Sequence, residues 1–279
     1  MNKDRPYIPF SQRTGLEPIP PQLKLGEVSA ELRRLLDYYI GLEIDRETGH
    51  GYGAYFLENG KRVTMDLHVR FFGQSASSYN SDPSAWRKAI TETAFKAPIG
   101  RLFDFVEFFV RNPRCSETLK RELAGAFVSA RAAYRIVDNE IVAIGTAEQA
   151  AAFERAIADA ETNYAGAARA HLVAAGVALR NSDWAGSIRE SIHAVESIAV
   201  ALAPGTDKLG PALAALEKQG HLHGGLKAAF GALYGYSSDE KGIRHALVYK
   251  DEAQVDETDA LFMLGACASF VSYLLARAN

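Results

Sequence analysis

Cysteine is scarce. Cys115 and Cys267 are the only two in 279 residues. That is too few for a disulfide scaffold and fits a reducing compartment. An excess of either charge is also missing. Lys+Arg total 31 and Asp+Glu total 34, for a formal net charge of −3, which argues against a wholesale cationic nucleic-acid binder. The N-terminus carries Lys3, Asp4 and Arg5 with no apolar run behind them, so no secretory leader is expected. The stretch from Ala260 to Ala276 is uncharged and reaches the lower edge of the roughly 17–25 residues that span a bilayer. Serines, a glycine and Cys267 dilute it, and a helical stripe accounts for its apolarity. The sequence therefore predicts a cytoplasmic protein with no membrane partner. The zincin, nucleophile-elbow, Walker and paired C-x-x-C signatures are absent, and no cofactor is expected. His221 and His223 resemble half of a metal site, but no third ligand lies nearby in sequence, so they read as a solvated loop and no metal site is expected.

What is present suits a packed globular chain. Hydrophobic residues make up 48% and charged residues 23%, enough to bury a real core. The length allows one large domain or two ordinary ones. Charge divides unevenly. Residues 161–279 hold ten basic and thirteen acidic side chains, whereas residues 1–160 are balanced.

Helical periodicity dominates. Prolines 6, 9, 18, 20 and 21 make the first 26 residues an extended lead-in. Val28, Leu32, Leu35 and Tyr39 predict a helix over about 27–42. Gly49, Gly51 and Gly53 formally match a dinucleotide fingerprint, but charged residues replace the strand that should precede it, so this is a turn. Residues 62–72 fit a strand or a helix. Trp86 to Arg111 reads as one or two helices with an aromatic face, and a helix is expected from about Ser116 to Ala132. Two β-branched runs around Asp138-Asn139 predict a hairpin, and Thr146 with Gln149 forms a capping box.

From residue 164 onward helix follows helix. Ile188, Ile192, Val195, Ala199 and Leu202 mark one buried stripe, and Ser182 or Asp183 can cap it. Pro211 and Gly220 bracket a short helix. Ser237 with Glu240 reads as a capping box opening a helix through Arg244. Leu261, Leu264, Ala268, Val271 and Leu275 form the stripe of a last helix starting near Asp256. The expected fold is mainly α: an N-terminal helical domain with a small β-hairpin, then an antiparallel bundle of five or six helices.

The segment from Tyr234 to His245 holds the best candidate chemistry. Arg244 offers a permanently charged fork for phosphate, and His245 can move a proton near neutral pH. Together they could polarise a phosphodiester and help a 2′-hydroxyl attack it without metal. Neighbours on a helix point about 100° apart, so a two-fold dimer would be needed to converge two copies. The alternative is that Arg244 pairs with Glu190 or Glu196 and His245 is structural.

Three C-terminal strings carry a family resemblance: NSDWAGSIRESIHAVESIAVAL, LKAAFGALYGYSSDEKGIRHAL and ALFMLGACASFVSYL. They resemble the HEPN-type helical domain of abortive-infection proteins. Upstream, FSQRTGL, WRKAITETAFKAPIGRLFDFVEFFV and AYRIVDNEIVAI resemble the AbiJ N-terminal domain of the fourth type. The resemblance covers nearly the whole chain and implies an AbiJ-type domain over 1–160, a HEPN-like bundle over 161–279, and helix rather than strand for 62–72. It further implies a homodimer and a metal-independent ribonuclease used in phage defence. The family signature is an Arg, a polar residue and a closing His. Arg244 and His245 match its start, but the closing position falls on Tyr249, Lys250 or Asp251.

Two readings follow. In the first, Arg244 and His245 are catalytic in an endoribonuclease, supported by Glu190, Glu196 and Tyr249. RNA then runs along Arg111, Arg114, Lys120, Arg121, Arg131 and Arg135. In the second, the HEPN-like dimer is a non-catalytic module. The N-terminal domain then recognises a phage component, a nucleotide or a partner.

Overall fold

A computed structural model describes residues 9–18, 20–51, 53–163, 165–239 and 255–278. These residues are mainly helical, with two small antiparallel two-stranded sheets. The chain divides into two compact units, Met1–Ile141 and Val142–Asn279.

The N-terminal unit runs α1 (Phe10–Arg13), α2 (Ala30–Arg46), β1 (Thr48–His50), β2 (Ala54–Phe56), α3 (Glu58–Asp66), α4 (Pro83–Lys96), α5 (Ile99–Arg111), α6 (Glu117–Ser129) and β3 (Tyr134–Val137). It ends inside β4 (Glu140–Ala143). Residues 62–72 are helical, as the resemblance implied: α3 runs straight into a π-helical turn over Leu67–Phe71. The helical reading of Trp86 to Arg111 resolves into two helices. Pro98 disfavours helical backbone at the residue before it, and Ala97 is extended with ψ 141. The glycine-rich turn at 49–53 joins β1 to β2, pairing Thr48 with Phe56.

The core of this unit is aromatic. Phe105, Phe109 and Phe127 are fully buried beside Leu36, Ile40 and Ile90. Phe105 meets Phe109 edge-on at 5.1 Å, and Phe103 meets Tyr134 edge-on at 4.8 Å, the favoured arrangement of ring quadrupoles. The last residues of the proline-rich lead-in are tied down. Leu23 N–H donates to the Arg131 carbonyl at 2.9 Å, and Gly26 N–H to the Tyr134 hydroxyl at 2.8 Å.

The expected hairpin forms at β3 and β4. Asp138 and Asn139 have φ of 53° and 64°. Two left-handed residues in succession are what a two-residue turn matching strand twist requires, and Asp and Asn tolerate them best.

The C-terminal unit holds α7 (Ala147–Thr162), α8 (Gly166–Arg180), α9 (Trp184–Leu202), α10 (Leu209–Lys218), α11 (Gly224–Asp239) and α12 (Glu257–Ala278). Thr146 caps α7 in a full capping box with Gln149, and Asp183 caps α9 by accepting from Gly186 N–H at 2.8 Å. α9 lies against α8, α10 and α12. Its predicted stripe is buried at Ile188, Ile192, Val195 and Ala199. α7 packs on α8 and α12, so by contacts it belongs to this unit although the sequence reading placed it before residue 161.

α12 is long and apolar enough to cross a membrane by length and composition alone, but over half of that stretch is buried. Met263, Leu264, Cys267, Ala268 and Val271 supply the buried face, so it is a core helix of the bundle.

Two expected elements differ, the first being the extended lead-in, in which Phe10–Arg13 form a short helix. Ser237 does not open a helix; it lies inside α11, where its hydroxyl donates to the Tyr234 carbonyl at 2.8 Å. The small, apolar residues before it carry α11 as far as Asp239, and Glu240, the other half of the expected capping box, lies outside the described residues.

Candidate functional site

Arg244, His245 and Tyr249 lie outside the described residues. Their two expected carboxylate neighbours are described, and each has a partner. Glu196 accepts the backbone N–H of Leu209 at 3.0 Å, satisfying a free donor at the start of α10. Glu190 accepts from His171 Nδ1 at 2.7 Å.

That second contact belongs to a cluster the sequence reading missed. Glu190 and His193 are three apart on α9 and so share a face. His171 reaches them from α8. One ligand-capable atom from each of the three lies within 4.8 Å of the others. The two imidazole rings are 5.3 Å apart and steeply inclined. All three side chains are half-buried. Burial lowers the His193 pKa, only partly offset by the Glu190 carboxylate, while His171 and Arg189 lower it further. His193 is thereby biased toward neutral imidazole, the form that accepts a proton or a metal. A Glu-x-x-His pair on one face was visible in the sequence. His171 was not, because only the packing of α8 on α9 supplies it.

The basic residues expected to face RNA are largely engaged elsewhere. Arg111 is shared between Glu107 and Glu140, and Arg114 pairs with Asp66 at 3.2 Å. Lys120 pairs with Glu117 at 2.7 Å. Arg131 donates to the Pro20 carbonyl at 2.9 Å and anchors the lead-in. Arg135 is buried and donates to the carbonyls of Ala132 and Tyr134. Arg121 is exposed and has no ion-pair partner among the described residues. These six therefore do not form one free cationic face, since a paired charge attracts phosphate far less than a free one.

The N-terminal unit holds an open groove of about 720 Å³ between the β1–β2 hairpin and α4. Arg87, Lys88, Lys96 and His50 line it together with Asp45 and Glu92, and Phe95 stands 45% exposed at its wall. Arg87 is held by Asp37 at 3.0 Å, and Thr91 donates to the same carboxylate at 2.7 Å.

Deeper in this unit, Glu43 is a buried hub. It accepts from the Ser116 backbone N–H and hydroxyl, both at 2.7 Å, and pairs with Arg46 at 3.0 Å. Burial pushes the neighbouring Cys115 thiol up to about 12, with Glu43 adding to the effect. Cys267 is likewise pushed up to about 12 by burial alone. Neither thiol is a nucleophile at neutral pH.

Fold and site together define a mainly α, two-unit protein with a polar-locked N-terminal part and a helical C-terminal part bearing a His–Glu–His cluster. The model of AbiJ N-terminal domain 4 matches residues 9–159. The chain belongs to this family, which places it among AbiJ-type abortive-infection proteins. No curated protein and no solved structure matches.

Proposed function

We propose that this chain is a phage-defence protein whose C-terminal unit is a HEPN-like homodimer acting as a metal-independent endoribonuclease. Arg244 binds and polarises the scissile phosphate, and His245 acts as general acid or base. The N-terminal unit senses the trigger, a phage component or a nucleotide, for which the groove beside α4 has both cationic and apolar walls.

The observation carrying this reading is the surface of α11, the helix preceding Arg244 in the chain. Its sequence is almost wholly apolar or small, yet Leu226 is 38% exposed, and Ala228, Ala229, Gly231 and Ala232 are exposed as well. A helix of that composition is normally covered. A second copy related by a two-fold axis covers it and brings two Arg244–His245 pairs together. The family match supports the defence role.

The experiment compares RNA cleavage and growth arrest for the unaltered chain, Arg244→Ala and His245→Ala, with light scattering for the dimer. A loss of cleavage of about a hundredfold or more in either variant is expected for a general acid–base or phosphate-binding group. Equal cleavage and toxicity in folded variants would overturn the nuclease reading.

A second reading has its own support. The engaged cations at Arg111, Arg114, Lys120 and Arg135 leave little free positive surface for RNA. If the dimer forms but no RNA is cut, the bundle is a binding module that transmits trigger recognition to a partner.

A further inference from the structure

We infer that His171, Glu190 and His193 form a site for a divalent zinc-like cation that clips α8 to α9. This goes beyond the nuclease reading and is independent of it.

The donor set is two imidazole nitrogens and one carboxylate oxygen, drawn from two adjacent helices. Zinc takes this combination, leaving a fourth position for water or a substrate atom. Two imidazoles disfavour calcium and magnesium, which prefer all-oxygen shells. The ligand atoms lie within 4.8 Å of one another. Tetrahedral zinc with bonds near 2.05 Å needs donor separations of roughly 3.3 Å. Side-chain rotation is the motion that would close that gap, since Glu190 and His193 already share a face of α9. The contact between His171 Nδ1 and Glu190 Oε2 at 2.7 Å holds two of the three donors together.

The fourth position faces water. His171 and Glu190 side chains are 37% and 26% exposed, so an ion can enter and exchange its last ligand. Of the charges nearby, Arg189 lies close enough to lower the His193 pKa and so opposes an added cation. Glu196 is held at the start of α10 by Leu209 N–H.

A bland alternative exists: the three side chains are only a hydrogen-bonded brace between two helices. The two ideas separate by direct metal binding. The full chain, stripped with a chelator and dialysed, is titrated with Zn²⁺ and, separately, with Co²⁺. Expected are one equivalent of Zn²⁺ per chain and visible Co²⁺ bands of four- or five-coordinate intensity. A rise in melting temperature of roughly 5 °C or more is expected at a hundredfold excess over the dissociation constant. His193→Ala is expected to weaken Zn²⁺ binding at least a hundredfold. His193→Asn keeps size and polarity and is expected to do the same, with an unchanged circular dichroism spectrum. The double variant His221→Ala, His223→Ala is the control and is expected to bind normally. Absence of stoichiometric Zn²⁺, or binding that survives His193→Asn and disappears in the control, overturns the site. Because the readout is metal content and spectrum, RNA cleavage has no bearing on the outcome.

Discussion

The two units spend their polar groups differently. In the N-terminal unit they act as internal locks. Glu43 ties α2 to the start of α6, Asp37 ties α2 to α4 through Arg87 and Thr91, and Arg135 satisfies backbone carbonyls in the interior. The core beneath them is built of phenylalanines. In the C-terminal unit the core is mostly aliphatic and alanine-rich, packed from stripes on α9 and α12, with Phe153 and Phe270 as its buried phenylalanines. Its notable polar groups, His171, Glu190 and His193, lie at a half-exposed face, and α11 presents apolar surface to solvent. A polar group fully engaged inside holds a shape. One left half-exposed beside imidazoles can engage something else. The comparison casts the first unit as a rigid scaffold and the second as the part with unspent chemistry.

That contrast can be broken by mutation. The largest effect is expected in the aromatic core. Phe105→Ala should cost about 3–5 kcal/mol, whereas Ile188→Val on α9 should cost only about 1 kcal/mol. Chemical denaturation of the full chain checks both, and comparable losses would erase the aromatic–aliphatic distinction.

Next is Glu43. Glu43→Ala strands the Ser116 N–H and hydroxyl and removes one partner of Arg46, and should destabilise the protein by about 3 kcal/mol. A loss under about 0.5 kcal/mol in the same measurement would mean the hub is not a lock.

The smallest effect is on thiol reactivity. With both thiols pushed up to about 12, Cys115 and Cys267 should resist alkylation at pH 8 in the native state and react promptly in denaturant. The sign for stability follows from the same shift. An unfolded thiol ionises near pH 8.5–9 and a native one near 12, so the unfolded state binds fewer protons between these values and stability falls as pH rises through that window. Rapid labelling of the folded protein at pH 8 would show that one of the units opens readily.

Local signals were legible wherever a few neighbouring residues suffice to decide the backbone. Asp138-Asn139 specified a turn because both positions need left-handed backbone. Thr146 with Gln149 specified a helix start because the two side chains satisfy each other's backbone donors. The stripes on α9 and α12 specified buried faces because their period matches the helix. Residues 62–72 were ambiguous, since their apolar residues fit both periods and only packing selects one. Ser237 misled because a serine that follows helix-forming residues can sit inside a helix rather than open one.

The candidate site was less legible for a different reason. Glu190 stood out as a carboxylate able to meet Arg244, which lies outside the described residues; among the described ones it meets His171, nineteen positions earlier. Sequence spacing limits contacts only within a turn or two of helix. The pairing of α8 with α9 is set by burying two apolar faces, and the polar meeting follows from it. The same holds for the basic residues 111–135: their sign was readable, but whether each was free or paired depended on carboxylates as distant as Asp66.

The sequence by itself determined a mainly helical chain, its caps and hairpin, and its membership of an abortive-infection family, because these rest on periodicity, turn chemistry and motif. Only the tertiary structure decided which charges are spent and which remain available. That depends on which helices pack together, and the hydrophobic effect that packs them is non-directional, so a stripe marks a buried face but not the helix it meets.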